Sequence, residues 1–192
     1  LNDDDYTNEV VNGDVHTRNQ HAFGVDSRDL AKTILYATLY GASAGKVGRI
    51  IGKGDKDGKQ IIDNFTKAVP AYKKLKEKVE KLSEKGSLPG LDGRRVVVRS
   101  AHSALNTLLQ SAGAIIFKKW LVITRTRLRE AGIPYRLVAT VHDEQEIEVQ
   151  EKYAEQVAKI TVAAAREAGE VLGFRCPVDA EAKIGKSWCE VH

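Results

Sequence analysis

Methionine is absent from the 192 residues, cysteine occurs twice and proline four times, and aromatic residues make up only 6%. Two cysteines, Cys176 and Cys189, cannot build a disulfide framework and lack metal-ligand partners at close spacing. A reducing, cytoplasmic setting is therefore the expectation. No apolar run approaches the roughly 18 residues of a membrane span, and no signal-peptide pattern opens the sequence. Global disorder is excluded as well, because 42% hydrophobic and 29% charged residues are ordinary globular proportions. The length suits one domain or two small lobes. A sequence that opens on Leu1 and contains no Met is expected to be a fragment or a processed piece.

What is present is unevenly charged. Residues 1–45 carry three basic and seven acidic side chains, whereas residues 46–99 carry fifteen basic and seven acidic. A basic middle segment can attract a polyanion by displacing condensed counterions. It can equally be a solvated helix face, and charge alone does not choose.

Punctuation and periodicity outline the elements. Asp26-Ser27 precedes an apolar run from Arg28 to about Tyr40 that stops at Gly41, as a capped helix does. Gly45, Gly48, Gly52, Gly54 and Gly58 predict a loop-rich stretch. Val69, Tyr72, Leu75, Val79 and Leu82 recur at spacings of three and four, one face of a helix. A break carrying Pro89-Gly90 spans Gly86 to Gly93, and Arg94 to Arg99 reads as a short β run. A long helix is predicted from about Ala104 to Glu130, with cations toward its C-terminus where the helix dipole favours them. Tyr135–His142 and Gln145–Val149 read as two tightly joined strands. An amphipathic helix over 151–172 and an extended segment from Pro177 to Trp188 follow. Helices, a hairpin, a helix and a strand argue for an α+β fold.

Two stretches carry chemistry. Arg28, Lys32, Tyr36 and Tyr40 recur at i, i+4, each step advancing about 6 Å and about 40° around a helix. Two cations followed by two rings on one winding face suit a nucleoside triphosphate lying along the helix. The alternative is a surface Arg-Lys turn followed by core tyrosines. The second stretch is Val138 to Gln145, whose Asp143 and Glu144 sit at the tip of the hairpin. Hard oxygen donors of this kind suit Mg²⁺, although Asp is also favoured in turns for backbone reasons alone. A phosphate clamp and a metal carboxylate on one chain together imply phosphoryl or nucleotidyl transfer.

The run from Arg28 to Gly41 resembles the fingers motif of the DNA polymerase I family (family A). Val141-His142-Asp143-Glu144 resembles that family's palm motif with a catalytic aspartate. Gly13-Asp14-Val15-His16-Thr17, and Ala104-Leu105-Asn106 to Gln110, fit in order. The wording is especially similar to replicative polymerases of short-tailed phages, including the closing stretch from Trp188 to His192. The resemblance implies the C-terminal part of a right-hand polymerase: a palm-to-fingers connection over 1–14, helical fingers over 15–90, and a palm with a small antiparallel sheet over 91–192. It implies that Arg28, Lys32 and His16 contact the triphosphate, with Lys32 protonating the leaving pyrophosphate. Tyr36 would line the sugar pocket, Tyr40 would stack near the templating base, and Gly41 would let the helix end turn. Asn106, Gln110 and His142 would read the minor-groove side of primer-template DNA. Asp143, with Glu144 beside it, would bind two Mg²⁺ ions.

The family's other metal-binding aspartate lies upstream of the position matching His16, and the expectation is that this sequence begins after it. Asp3-Asp4-Asp5 lacks the residues that follow that aspartate in the family and is expected to be a solvated loop. An N-terminal polymerase fragment bearing the thumb and first palm motif is accordingly the expected partner, and the chain alone is expected to be inactive. A non-catalytic DNA-binding replisome module that keeps the fold is the alternative, and a metal-dependent phosphohydrolase a third reading.

Overall fold

The computed structural model describes Leu1 and residues 3–191. His192, the last residue of the closing stretch that resembles the family, lies outside the described residues. The chain forms two compact units, residues 1–110 and 111–192.

The first unit runs α1 (Asp4–Asn12), α2 (Val15–Phe23), α3 (Arg28–Leu39), α4 (Ala44–Ile50), α5 (Asp55–Ala68), α6 (Pro70–Ser83), then β1 (Ser87–Pro89), β2 (Arg95–Val97) and the start of α7 (Ala104–Glu130). Most starts are set by short polar side chains that accept orphan backbone N–H groups. Asp3, Asp14, Ser27 and Ser43 cap α1 to α4 in this way, and Pro70 opens α6, where its missing N–H is harmless. Phe23 and Phe65 stack at 4.4 Å, with Tyr72 5.2 Å from Phe65. Ala31, Ile34, Val47 and Val69 close the core around them. Burial pushes the Tyr72 phenol up to about 12.

Three expectations are corrected in this unit. Asp3 to Asp5 are the start of a helix: the Asp3 carboxylate accepts from the Tyr6 amide at 2.9 Å, and Asp4 and Asp5 occupy the first turn, where the dipole favours anions. The glycine-rich stretch is two helices, α4 and α5. Two of its glycines serve close packing: a Cβ on Gly58 would overlap the Ala44 carbonyl and the Gly48 nitrogen, and one on Gly48 the Gly54 carbonyl. The break at 86–93 is a hairpin, with β1 antiparallel to β2 and Leu88 opposite Val96.

The second unit holds the rest of α7, then β3 (Tyr135–Val141), β4 (Glu144–Val149), α8 (Ala154–Val171) and α9 (Trp188–Val191). β3 and β4 pair antiparallel, with Tyr135 opposite Val149, Leu137 opposite Ile147 and a register shift between Leu137 and Ala139. Tyr135, Ile147 and Val149 pack on Leu128, Ile133 and Val157, which seats the hairpin on α7 and α8. Small residues let α8 approach α7: Ala164 and Ala168 meet Ile123 and Trp120, and Trp120 Nε1 donates to the Thr161 carbonyl at 2.8 Å. The expected closing strand is absent among the described residues. Residues 177–187 carry no regular structure and hold to α8 by side chains: Arg166 pairs with Asp179 at 2.9 Å, and Val178 lies over Gly169. Helices with two small antiparallel hairpins make the α+β class expected from the sequence.

Candidate functional site

α3 is built to bury one face and present the other. Ser27 Oγ accepts from the Leu30 amide at 3.3 Å, and Asp29 lies in the first turn. Ala31, Ile34, Leu35 and Thr38 are buried, the i, i+3, i+4 pattern of a core stripe. Arg28, Lys32, Tyr36 and Tyr40 are all exposed. The tyrosines are 44% and 53% accessible, which overturns the alternative that they belong to the core. Their ring centroids are 6.3 Å apart, so two cations and a pair of adjacent rings share one solvent-facing surface.

The end of α3 is equally determined. The Gly41 amide donates to the Thr38 carbonyl at 3.1 Å and the Ala42 amide to the Ala37 carbonyl at 2.8 Å. This pair of bonds is the Schellman closure, which needs a left-handed residue at its turn. Gly41 supplies it with φ of +82°. A Cβ there would also stand 2.8 Å from the His102 carbonyl oxygen, so both conformation and space require glycine.

Arg28 is not a loose side chain. Its Nε donates to Asp14 Oδ2 at 2.8 Å and its Nη2 to Asp14 Oδ1 at 3.1 Å. Asp14 in turn caps α2, accepting from the amides of His16 and Thr17 and from the Thr17 hydroxyl. The Arg28 guanidinium, followed by the Thr17 hydroxyl, holds the Asp14 carboxyl far below the usual carboxylate range. The pair is therefore charged throughout the neutral range. His16 sits in the first turn of α2, half-buried, and its Nδ1 is buried without a hydrogen-bond partner. Asn106, half-buried on α7, likewise has a buried Oδ1 with no partner, while Gln110 one turn on is exposed. Unpaired buried polar atoms cost about 1–3 kcal/mol each.

In the second unit, His142 and Asp143 form the two-residue loop between β3 and β4. Tight hairpin loops favour positive φ at their first position, and His142 has φ of +51°, the one non-glycine residue so placed among those described. That conformation costs an L residue about 1–2 kcal/mol. It sets Asp143 and Glu144, both exposed, at the hairpin tip. Their oxygens suit Mg²⁺, but no His, Cys, Asp or Glu among the described residues joins them in a group of three. They fit as part of a metal site rather than a whole one. A cavity of about 470 Å³ opens between Leu121, Val122 and Arg125 of α7 and Leu137, Gln145 and Ile147 of the hairpin.

The family model described as DNA polymerase family A matches residues 6–190. The chain belongs to family A. It is 39% identical to the DNA-directed DNA polymerase of Enterobacteria phage T3, over 98% of this chain and 30% of that protein. It is 30% identical to DNA polymerase I of Aquifex aeolicus, over 95% of this chain and 33% of that one. This family A chain thus spans about a third of the length of these relatives. Its fold matches, at a TM-score of 0.83 and 20% identity, the POL domain of Pol1 from M. smegmatis, solved in complex with DNA primer-template and dNTP; 97% of this chain and 36% of that one are covered. No described helix is long and apolar enough to cross a membrane.

The family A match takes in every candidate residue from His16 to Glu144. Three features escaped the sequence reading: the tie from Asp14 to Arg28, the approach of His102 to Gly41, and the backbone of His142. An Asp just before a helix with Thr three residues on marks Asp14 as a cap, but nothing local marks Arg28 as its partner.

Proposed function

We propose that this chain is the fingers and palm part of a template-directed DNA polymerase, transferring a nucleotidyl group from a dNTP to a primer 3′-OH. The observation that carries this reading is the solvent-facing row of Arg28, Lys32, Tyr36 and Tyr40 in a family A chain. On this reading residues 1–14 connect palm to fingers, 15–90 form the fingers and 91–192 the palm. Arg28, Lys32 and His16 bind the triphosphate, and Lys32 gives a proton to the leaving pyrophosphate. Tyr36 lines the sugar pocket and Tyr40 stacks near the templating base. Asn106, Gln110 and His142 contact the primer-template minor groove; the unpartnered Asn106 Oδ1 is consistent with an acceptor awaiting a donor. Asp143, with Glu144 in a lesser role, holds Mg²⁺. When bound, the metal activates the primer hydroxyl and offsets charge on the transferred phosphoryl group. A two-metal site uses a further carboxylate, which on this reading comes from an N-terminal polymerase part with the thumb and first palm motif, the expected partner.

The incomplete donor set also favours a second reading, a DNA-binding replisome module without chemistry. Equilibrium titration of the chain with dATP and Mg²⁺ separates the two. The polymerase reading predicts saturable dATP binding that Lys32→Ala weakens about 10- to 100-fold, with primer-template affinity nearly unchanged. Equal loss of both affinities overturns the assignment of Lys32. Duplex binding with no nucleotide preference supports the module.

A further inference from the structure

Asp14 joins two helices through one carboxylate. Oδ1 accepts from the His16 amide at 3.0 Å, the Thr17 amide at 3.3 Å and Arg28 Nη2 at 3.1 Å, while Oδ2 accepts from the Thr17 hydroxyl and Arg28 Nε, both at 2.8 Å. Its own amide donates to Glu9 Oε1 on α1 at 3.0 Å. The carboxylate therefore stands on a fixed support. Arg28 is the first residue of α3 and His16 the second of α2, so the two groups proposed to meet the triphosphate from different helices share this one anchor.

We infer that Asp14 is a positioning residue of the nucleotide clamp, fixing the Arg28 guanidinium to the N-terminus of the helix that carries His16. A guanidinium has five N–H donors, and Asp14 occupies two, which leaves three for phosphate oxygens. Arg28 is thus oriented without being used up. An arginine held by a bidentate partner has surrendered its rotamer freedom before the ligand arrives, and preorganisation of that kind raises affinity. The rival role for the same carboxylate is a counter-anion that occupies Arg28 and competes with the triphosphate. The two roles predict opposite signs on removal.

Asn is the informative replacement, because it caps helices about as well as Asp while losing the charge and the two-oxygen grip on the guanidinium. The inference rests on Arg28 contacting the triphosphate, so the test is a double-mutant cycle read as dATP dissociation constants with Mg²⁺, with thermal melting of each variant as the folding control. Asp14→Asn is expected to melt within a few degrees of the parent and to weaken dATP binding about 5- to 20-fold, while primer-template affinity stays constant. In an Arg28→Ala background the same change is expected to do nothing further, since positioning acts only through Arg28. Asp14→Glu, which keeps the charge, is expected to recover part of the affinity. Tighter dATP binding in Asp14→Asn, or fully additive losses in the double variant, overturns the positioning role and leaves the polymerase reading intact. If Arg28→Ala alone leaves dATP affinity unchanged, the contact between Arg28 and the triphosphate is wrong, and this inference falls with it.

Discussion

The exposed face of α3 and the tip of the β3–β4 hairpin are completed to different degrees within this chain. Around α3, three features are fixed locally: Ser27 starts the helix, Asp14 holds Arg28, and Gly41 closes the last turn against the His102 carbonyl. At the hairpin, Asp143 and Glu144 follow the left-handed His142, and among the described residues no His, Cys, Asp or Glu joins them in a group of three. A row of cations and rings at i, i+4 comes from one helix, which local sequence can assemble. On the proposed reading, a segment about a third as long as its relatives carries the nucleotide face, and its hairpin tip contributes part of a metal centre.

The strongest destabilisation is expected at Gly41. Gly41→Ala places a Cβ against the His102 carbonyl and forces an L residue into a left-handed turn. It should destabilise the first unit by about 2 kcal/mol or more, seen as a lowered melting transition, with a parallel loss of dATP affinity. Stability unchanged by that substitution would mean the end of α3 is not fixed as described. A smaller effect of the opposite sign sharpens the contrast. His142→Gly relieves the left-handed strain at the hairpin, and after the added freedom of the unfolded glycine is set against it, stability should rise by up to about 1 kcal/mol. Denaturant melts can read this. A loss of more than about 1 kcal/mol would show that the imidazole, and not the backbone, holds the loop.

Much of this was legible from residue order. The ends of α3 and α7 followed from capping and periodicity, because Ser27, Gly41 and the cationic last turn of α7 act through neighbours within a few residues. The hairpin was readable from the alternation of Ile147 and Val149 with glutamates. What failed depended on distant partners. Gly48 and Gly58 look like loop residues until α4 and α5 are packed together. The segment after Pro177 looks like a strand, but no edge is there to receive it among the described residues. The exposure of Tyr36 and Tyr40 could not be told from burial by spacing alone, since the apolar stripe on the other side of α3 fits the same helix. The tie from Asp14 to Arg28 spans fourteen residues and has no periodic signature.

On the proposed reading this chain supplies a finished nucleotide face and an unfinished metal centre. Primer extension with Mg²⁺ and all four dNTPs tests it most directly, using the chain alone and then with an upstream polymerase fragment carrying the thumb and first palm motif. No extension is expected from the chain alone, and extension is expected on addition of the fragment, abolished by Asp143→Asn. Extension by the chain alone would contradict it, because the two carboxylates at the hairpin would then have found their missing partner within this sequence.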